Sequence, residues 1–193
     1  MFEWTVRGVR CRLSILFPAL LTALLCYQPD GMAITCVIAS AIHECGHLLM
    51  MLLRGCPPSC CTLGAFGMRI EMGTARTVGY GDNILISAAG PAVNLLCAIL
   101  FYALGNAAVA TVHLVQGAFN LLPAEALDGG QILRCVCCRC GGEQIADRLL
   151  LGLSVVVLIP LATAAAYLAL SGGNLSLLIV VGYLALLVFW HPS

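Results

Sequence analysis

The sequence predicts an all-α membrane protein with about six transmembrane helices and a short membrane-associated β-hairpin after the second of them. Its composition is the first indication, because 61% of the 193 residues are hydrophobic and only 9% are charged. A soluble globular domain has roughly 25% charged residues. The second indication is a series of uncharged apolar stretches, each close to the roughly 20 residues that cross a bilayer. They cover residues 13–29, 32–53, 83–104, 107–134, 149–170 and 173–190.

These stretches follow one another without a separate soluble region. We therefore expect a single integral membrane domain over residues 1–193, with a core at 31–134 and two further transmembrane helices within 149–190. The fourth stretch contains Pro123 and a pair of glycines that begins at Gly129, and such residues interrupt helices. Its course is expected to be the least regular of the six.

The charged residues predict an orientation and exclude one class of partner. All nine basic residues are arginines, and with nine acidic residues they give a net charge of zero. No basic patch indicates a nucleic-acid partner. With six helices all arginines fall on one side, and short arginine-rich loops stay in the cytoplasm. These arginines are Arg7, Arg10, Arg12, Arg54, Arg69, Arg76, Arg134, Arg139 and Arg148. We expect a multi-pass protein of the cell membrane with both termini in the cytoplasm.

Residues 56–82 differ from the apolar stretches, because charged residues and glycines interrupt them. From Met68 to Met72 apolar and charged residues alternate, as in a strand with one hydrated face. We therefore predict a β-hairpin on the cytoplasmic side. Non-helical backbone at membrane depth is tolerated only where protein or a watery cavity receives its polar groups, so a cavity is expected nearby. Met68 and Ile70 are candidates for binding an extended substrate segment by β-augmentation.

The chemistry is concentrated in the pentapeptide His43-Glu44-Cys45-Gly46-His47, inside the second apolar stretch. Residues four apart on a helix share one face and differ by roughly 6 Å in rise, so the two histidines can bind one metal ion. Glu44 can then act as general base, as in H-E-x-x-H zinc hydrolases. Ionisable groups inside an apolar span are costly unless a metal, a partner or water compensates. A buried histidine pair satisfied by hydrogen bonds alone is the alternative.

A catalytic zinc ion usually has three protein ligands and one open position, so a third ligand is expected elsewhere. Asp128 is the candidate, because it lies in the fourth apolar stretch, where a lone carboxylate would be costly. His47 is seven residues before Arg54, and Asp128 is six residues before Arg134. Helical rise would place both roughly 9–10 Å below the same surface. The site should therefore open to the cytoplasmic side.

Three other residues compete for the role of third ligand. Glu125 lies three residues before Asp128, although a solvated acid that lines the pocket is the simpler interpretation. His113 would lie roughly two dozen Å from Asp128 on a continuous helix, which argues against it. His191 lies near the end of the sequence, where an interfacial position is expected.

Three sequence blocks occur together in residues 31–134. They are His43-Glu44-Cys45-Gly46-His47, Ala89-Gly90-Pro91 with Asn94, and Asn120 with Pro123 and Asp128-Gly129-Gly130. In order and spacing they resemble the H-E-x-G-H, A-G-P-x-x-N and N-x-x-P-x-x-x-x-D-G elements of the site-2 protease family of intramembrane zinc metalloproteases. The resemblance is narrower still to its branch similar to sporulation stage IV factor B. The run before Asp128 departs from the more apolar run usual there, which bears on the shape of the substrate cleft.

The resemblance implies peptide-bond hydrolysis within or beside the membrane. It implies one Zn²⁺ ion bound by His43, His47 and Asp128, with Glu44 as general base. It also implies that Asn120 lies near the site, where it binds the substrate or polarises its carbonyl. The implied substrate is a membrane-associated protein, such as a pro-sigma factor or an anti-sigma factor. A regulatory membrane partner is the further partner to consider.

Two other functions fit part of this pattern. A membrane metal-ion transporter would place ionisable residues at several depths, whereas here they concentrate at one. A non-catalytic substrate-binding homologue would normally lack the base or a ligand. The cysteines within residues 56–61 and 135–140 could bind a second metal, but their spacing fits no standard motif and reduced thiols are the simpler interpretation.

Overall fold

The computed structural model describes residues 2–6, 9–14, 31–64, 67–72, 78–171 and 176–189. Four strands and six helices lie within them. The chain divides into two compact units, Met1–Phe119 and Asn120–Ser193. The first predicted transmembrane stretch, residues 13–29, lies outside the described residues except for its start, and it stays a prediction.

A four-stranded sheet belongs to the first unit, in the order β1-β2-β3-β4. Its strands are β1 (Phe2–Val6), β2 (Val9–Leu13), β3 (Pro58–Gly64) and β4 (Gly67–Met72). The β1–β2 and β3–β4 pairs are antiparallel, and β2 and β3 are parallel. The hairpin predicted after the second apolar stretch is therefore confirmed as β3 and β4.

The first hairpin, β1 and β2, is not among the predicted elements. The arginines of this segment predict the orientation of the chain in the membrane. From Val9 to Leu13 they also alternate with apolar residues, and a period of two is typical of a strand. Glu3 and Arg12 are partners across the two strands, and Arg12 Nε donates a hydrogen bond to Glu3 Oε1 at 3.2 Å. Such an opposite-charge pair stabilises the register of neighbouring strands.

Three helices follow in the first unit, the last of which ends at its boundary. They are α1 (Met32–Leu53), α2 (Tyr80–Ala103) and α3 (Ala107–Asn120). The first two agree with the predicted stretches at 32–53 and 83–104 to within three residues. Arg54, directly after α1, donates from Nε to Asp82 Oδ1 in the first turn of α2 at 2.7 Å. This ion pair ties the end of one helix to the start of the next.

The predicted fourth stretch, residues 107–134, is divided between two helices, and the interruption lies at Pro123 as its sequence indicates. The chain leaves α3 at Asn120, and α4 (Asp128–Gly141) begins only after a turn at residues 121–127. Pro123 lacks a backbone N–H and disfavours helical geometry in the residue before it. Glycine is required where the turn meets the first residues of α4, because a Cβ at Gly129 would collide with the carbonyl oxygen of Leu121.

The second unit also contains α5 (Glu143–Leu170) and α6 (Ser176–Phe189). α5 starts six residues before the predicted stretch at 149–170, because its first turns contain the charged residues that bounded that stretch. In the described residues α1, α2 and α5 are long and apolar enough to cross a membrane, whereas α6 is apolar but shorter. The mostly helical membrane fold with a small sheet is confirmed, and the number of six spans stays a prediction.

The close packing of α1 on α2 depends on Gly46. A Cβ built there would lie 2.9 Å from the carbonyl oxygen of Ala89 and 3.1 Å from Cγ2 of Val93. Small residues at such positions let helix backbones approach closely in a membrane. The two helices therefore meet at the turn of α1 that contains His43 and His47.

Gly46→Ala should push α1 and α2 apart and destabilise the protein by about 1–3 kcal/mol, the usual cost of overpacking. The measurement is thermal unfolding of the purified protein in detergent. Gly152→Ala in α5 is the matched control, because a Cβ there meets no atom within 4 Å. A Gly46→Ala midpoint equal to that of wild type would contradict the close approach.

Candidate metal centre

The two histidines of the pentapeptide form a buried pair on one face of α1. His43 is 4% exposed and His47 is 9% exposed. Their Nε2 atoms lie 3.1 Å apart, and the rings meet nearly at right angles. The spacing of four residues therefore brings two metal-binding nitrogens to one point, as the sequence predicts.

Both rings are oriented through their other nitrogen. His47 Nδ1 lies 2.8 Å from the carbonyl oxygen of Ile86 on α2. A carbonyl only accepts, so Nδ1 of His47 carries the proton and its Nε2 has a lone pair. His43 Nδ1 lies 3.2 Å from the side-chain amide of Asn94, a fully buried residue of α2. α2 therefore sets the orientation of both imidazoles.

Space for an ion exists beside these two nitrogens because α2 has a glycine there. A Cβ at Gly90 would lie 2.8 Å from His43 Nε2 and would also collide with His47 Nε2. A tetrahedral zinc ion with Zn–N bonds of about 2.0–2.1 Å holds two nitrogens roughly 3.3 Å apart. The observed separation of 3.1 Å fits such an ion, and an N–H···N hydrogen bond is the alternative at the same distance.

Glu44 follows His43 directly and is half-buried. Its charge acts on the sheet, where burial raises the pKa of the Cys61 thiol on β3, and the neighbouring Cys11, Cys60 and Glu44 raise it further. The predicted general base therefore lies close enough to β3 for an electrostatic effect. The hairpin of β3 and β4 and the helical turn that contains Glu44 therefore lie near each other in the first unit.

The remaining predicted site residues belong to other elements of the chain. Asp128 is the first residue of α4 in the second unit, and its Oδ2 atom is buried. Asn120 is half-buried at the carboxyl end of α3. Met68 and Ile70 belong to the backbone of β4. The roles of these four residues stay predictions.

Two competing assignments can be compared with the structure. The carboxylate of Glu125 lies 3.6 Å from Arg134, and its backbone N–H donates to Ser154 Oγ at 3.0 Å. An ion pair with arginine suits a solvated acid better than a zinc ligand. For a second metal, the described residues contain no group of three or more potential ligands that includes a cysteine.

His113 belongs to the same polar network, although it was set aside in the sequence as too distant. It is 2% exposed, and its Nδ1 lies 3.1 Å from Asn94 Oδ1. Its ring stacks on Phe101 with centroids 5.6 Å apart. The estimate of distance assumed one helix over residues 107–134, which is broken after Asn120. The sequence signal that could have identified His113 is the presence of an ionisable residue inside an apolar stretch.

The alkylation of Cys61 tests the position of Glu44. The thiolate is the reactive form of cysteine, so the rate at Cys61 should rise at a higher pH than that of an ordinary thiol. Glu44→Gln removes a nearby negative charge and should lower the pKa of Cys61, so the rate should rise at a lower pH than in wild type. Mass spectrometry of iodoacetamide-treated protein measures each cysteine separately. Equal pH profiles for the two proteins would place Glu44 away from β3.

Comparisons with known proteins give sequence relatives over part of the chain and one solved structure of similar fold. No family model matches the chain. It is 30% identical over 131 residues to the candidate zinc metalloprotease Rip3 of Mycobacterium tuberculosis, in each of two strains. That match covers 60% of this chain and 33% of Rip3, so the chain spans about a third of the length of these curated relatives.

A solved structure covers far more of the chain. The site-2 protease from Methanocaldococcus jannaschii superposes with a TM-score of 0.68 at 19% identity, over 95% of this chain and 92% of the archaeal one. An identity this low shows the fold alone. The chain therefore has the fold of the archaeal site-2 protease.

Proposed function

We propose that the chain is a zinc-dependent intramembrane endopeptidase that cleaves a membrane-associated protein. The observation that carries this proposal is the buried pair of His43 and His47, with Nε2 atoms 3.1 Å apart in a helix long and apolar enough to cross a membrane. Two imidazoles buried in this way suit a metal ion, and Gly90 keeps the space beside them.

His43, His47 and Asp128 would bind the ion. Each offers one ligand atom of a kind that zinc accepts, an imidazole nitrogen or a carboxylate oxygen. The support for Asp128 is its matching depth in the sequence and its place in the N-x-x-P-x-x-x-x-D-G element. Its rival Glu125 is paired with Arg134. Three ligands would leave the fourth position open for the reaction.

The chemistry follows from these side chains. A bound zinc ion supplies a Lewis acid that polarises the scissile carbonyl and makes water a stronger nucleophile. Glu44 takes a proton from the attacking water and delivers it to the leaving amine. Asn120 would bind the substrate or polarise its carbonyl. Before cleavage the substrate has to unwind, because a helical backbone hides its carbonyl groups.

The outer edge of β4, which pairs with no other strand in the described part of the chain, is the proposed docking site for that unwound segment. β4 is the last strand of the sheet, and Gly64 pairs with Gly67 across a two-residue connection. Such a connection makes the flanking pair hydrogen-bonded, and pairs then alternate along an antiparallel ladder. Ile70, opposite Cys61, therefore directs its N–H and C=O away from β3. Met68 does the same.

The finer identity of the substrate rests on the sequence resemblance alone. A sporulation pro-sigma factor or an anti-sigma factor fits the branch similar to stage IV factor B, and a membrane partner could regulate access. The distribution of arginines supports cytoplasmic termini and a site that opens to the cytoplasm.

Replacing the proposed base and ligands should separate catalysis from metal binding. Glu44→Gln should reduce cleavage about 10²- to 10⁴-fold, the typical contribution of a general base, and should keep the zinc content. Cleavage and zinc content should both be lost in each ligand variant, namely His43→Ala, His47→Ala and Asp128→Ala. The assays are zinc content of the purified protein and cleavage of co-expressed, membrane-tethered reporters that carry candidate pro-sigma segments.

Each outcome of that experiment decides between functions. Cleavage that survives Glu44→Gln would refute the mechanism. Zinc retained by Asp128→Ala at the wild-type level would remove that residue from the ligand set. Zinc transport into vesicles without cleavage would favour the transporter.

Ile70→Pro tests the docking edge. Proline removes the outward N–H of residue 70 and leaves the hydrogen bonds between β3 and β4 intact, so cleavage should fall while zinc content stays unchanged. Ile70→Val is the matched control, because it keeps the N–H and should cleave normally. Arg69→Pro, which removes an N–H directed at β3, should instead disrupt the hairpin. Normal cleavage by Ile70→Pro would exclude β-augmentation at this edge.

A further inference from the structure

A chain of buried polar groups leads away from the histidine pair across three helices. His43 Nδ1 lies 3.2 Å from Asn94 Nδ2, and Asn94 Oδ1 lies 3.1 Å from His113 Nδ1. Asn94 is fully buried and His113 is 2% exposed. Polar groups this deeply buried are costly unless each has a hydrogen-bond partner of the correct kind. The proton positions along the chain are therefore coupled.

The orientation of the Asn94 amide determines which nitrogen of His43 carries the proton. With Nδ2 toward His43, the amide donates, so His43 Nδ1 accepts and the proton lies on Nε2. That proton can be donated to His47 Nε2, 3.1 Å away. In this arrangement the lone pair of His47 Nε2 accepts that proton, and neither histidine presents a free lone pair to an ion beside Gly90.

The opposite orientation has the opposite consequence. The amide oxygen and nitrogen have nearly the same size, so a half-turn of the amide moves neither histidine. Asn94 Oδ1 then accepts a proton from His43 Nδ1, and His43 Nε2 presents a lone pair beside that of His47. Both histidines can bind one metal ion only in this arrangement.

We propose that Asn94 and His113 are positioning residues that allow His43 to adopt its metal-binding tautomer with every buried hydrogen bond satisfied. This inference rests on the proposed zinc site. His113 stabilises either orientation of the amide, because it donates from Nδ1 to Asn94 Oδ1 in one and accepts at Nδ1 from Asn94 Nδ2 in the other. Its own tautomer therefore switches, from a proton on Nδ1 to a proton on Nε2, when both Nε2 atoms of the pair bind a metal.

The packing around Asn94 restricts the network to these two arrangements. The His113 ring is stacked on Phe101 at an interplanar angle of 13°. Gly117, one turn after His113, leaves room for Asn94, since a Cβ there would lie 3.2 Å from the asparagine Cβ. Loss of either side chain removes a hydrogen-bond partner of the other.

Zinc affinity of the purified full chain, measured by competition with a fluorescent chelator, tests the proposal. His113→Leu leaves the far side of the Asn94 amide without a partner in either orientation, so Asn94 no longer holds the His43 ring and zinc binding should weaken about 10- to 100-fold, as outer-shell changes usually do. His113→Gln can still donate or accept and should restore most of the affinity. Asn94→Asp accepts only, so it favours a proton on His43 Nδ1 and should bind at least as tightly as wild type, whereas Asn94→Leu should bind weakly.

Gln116→Leu is the matched control on the same helix. It removes a different contact between α3 and α1, the hydrogen bond from Gln116 Nε2 to Ser40 Oγ at 2.8 Å. Thermal stability should fall in this variant and zinc affinity should not. If His113→Leu behaves in the same way, His113 has only a structural role and the proposal is wrong.

The second readout is the tautomer of His113 itself. Nitrogen-15 spectra of histidine-labelled protein, with the His113 signals assigned by their loss in His113→Gln, should show the proton move from Nδ1 to Nε2 on addition of zinc. An unchanged tautomer with zinc bound would overturn the proposal and leave the proposed protease intact. Zinc binding that is the same in wild type and His43→Ala would overturn both.

Discussion

Ionisable side chains inside an apolar helix require partners, and this requirement governs the arrangement of the first unit. α1 contains two histidines and a glutamate in the middle of a 22-residue apolar helix. Hydration is the usual stabilisation of such groups, and burial removes it. Here the hydrogen bond that His47 donates to the carbonyl of Ile86, and the one between His43 and the amide of Asn94, replace it. α2 therefore has to lie very close to α1, and glycines at the contact allow this.

The parts of the fold that depend on local pattern could be predicted from the sequence. Apolar length predicted α1 and α2, and period-two alternation predicted β3 and β4. The four-residue spacing of His43 and His47 predicted a shared face. The same local reasoning applied to Val9–Leu13 would have found β2, but the arginines there were used only for orientation.

Features that depend on tertiary contacts could not be predicted in this way. The break between α3 and α4 has a local signal in Pro123, but the path of the turn depends on contacts such as that of Gly129 with the backbone of Leu121. His113 shows the same limit more sharply. Its distance from the site was estimated along a helix that does not continue, and its partner Asn94 lies on another helix. Spacing along a chain measures distance only within one regular element.

The parallel pairing of β2 with β3 has a consequence for the order of folding. Arg10 pairs with Cys60, 50 residues later in the chain, so the helix with the histidine pair lies between two strands that have to meet. Closing so long a loop costs conformational entropy before the pairing repays any of it. During synthesis the hairpin of β1 and β2 cannot pair with β3 until α1 and β3 have both emerged. The sheet beside Glu44 is therefore completed only after the helix that contains Glu44 has been synthesised.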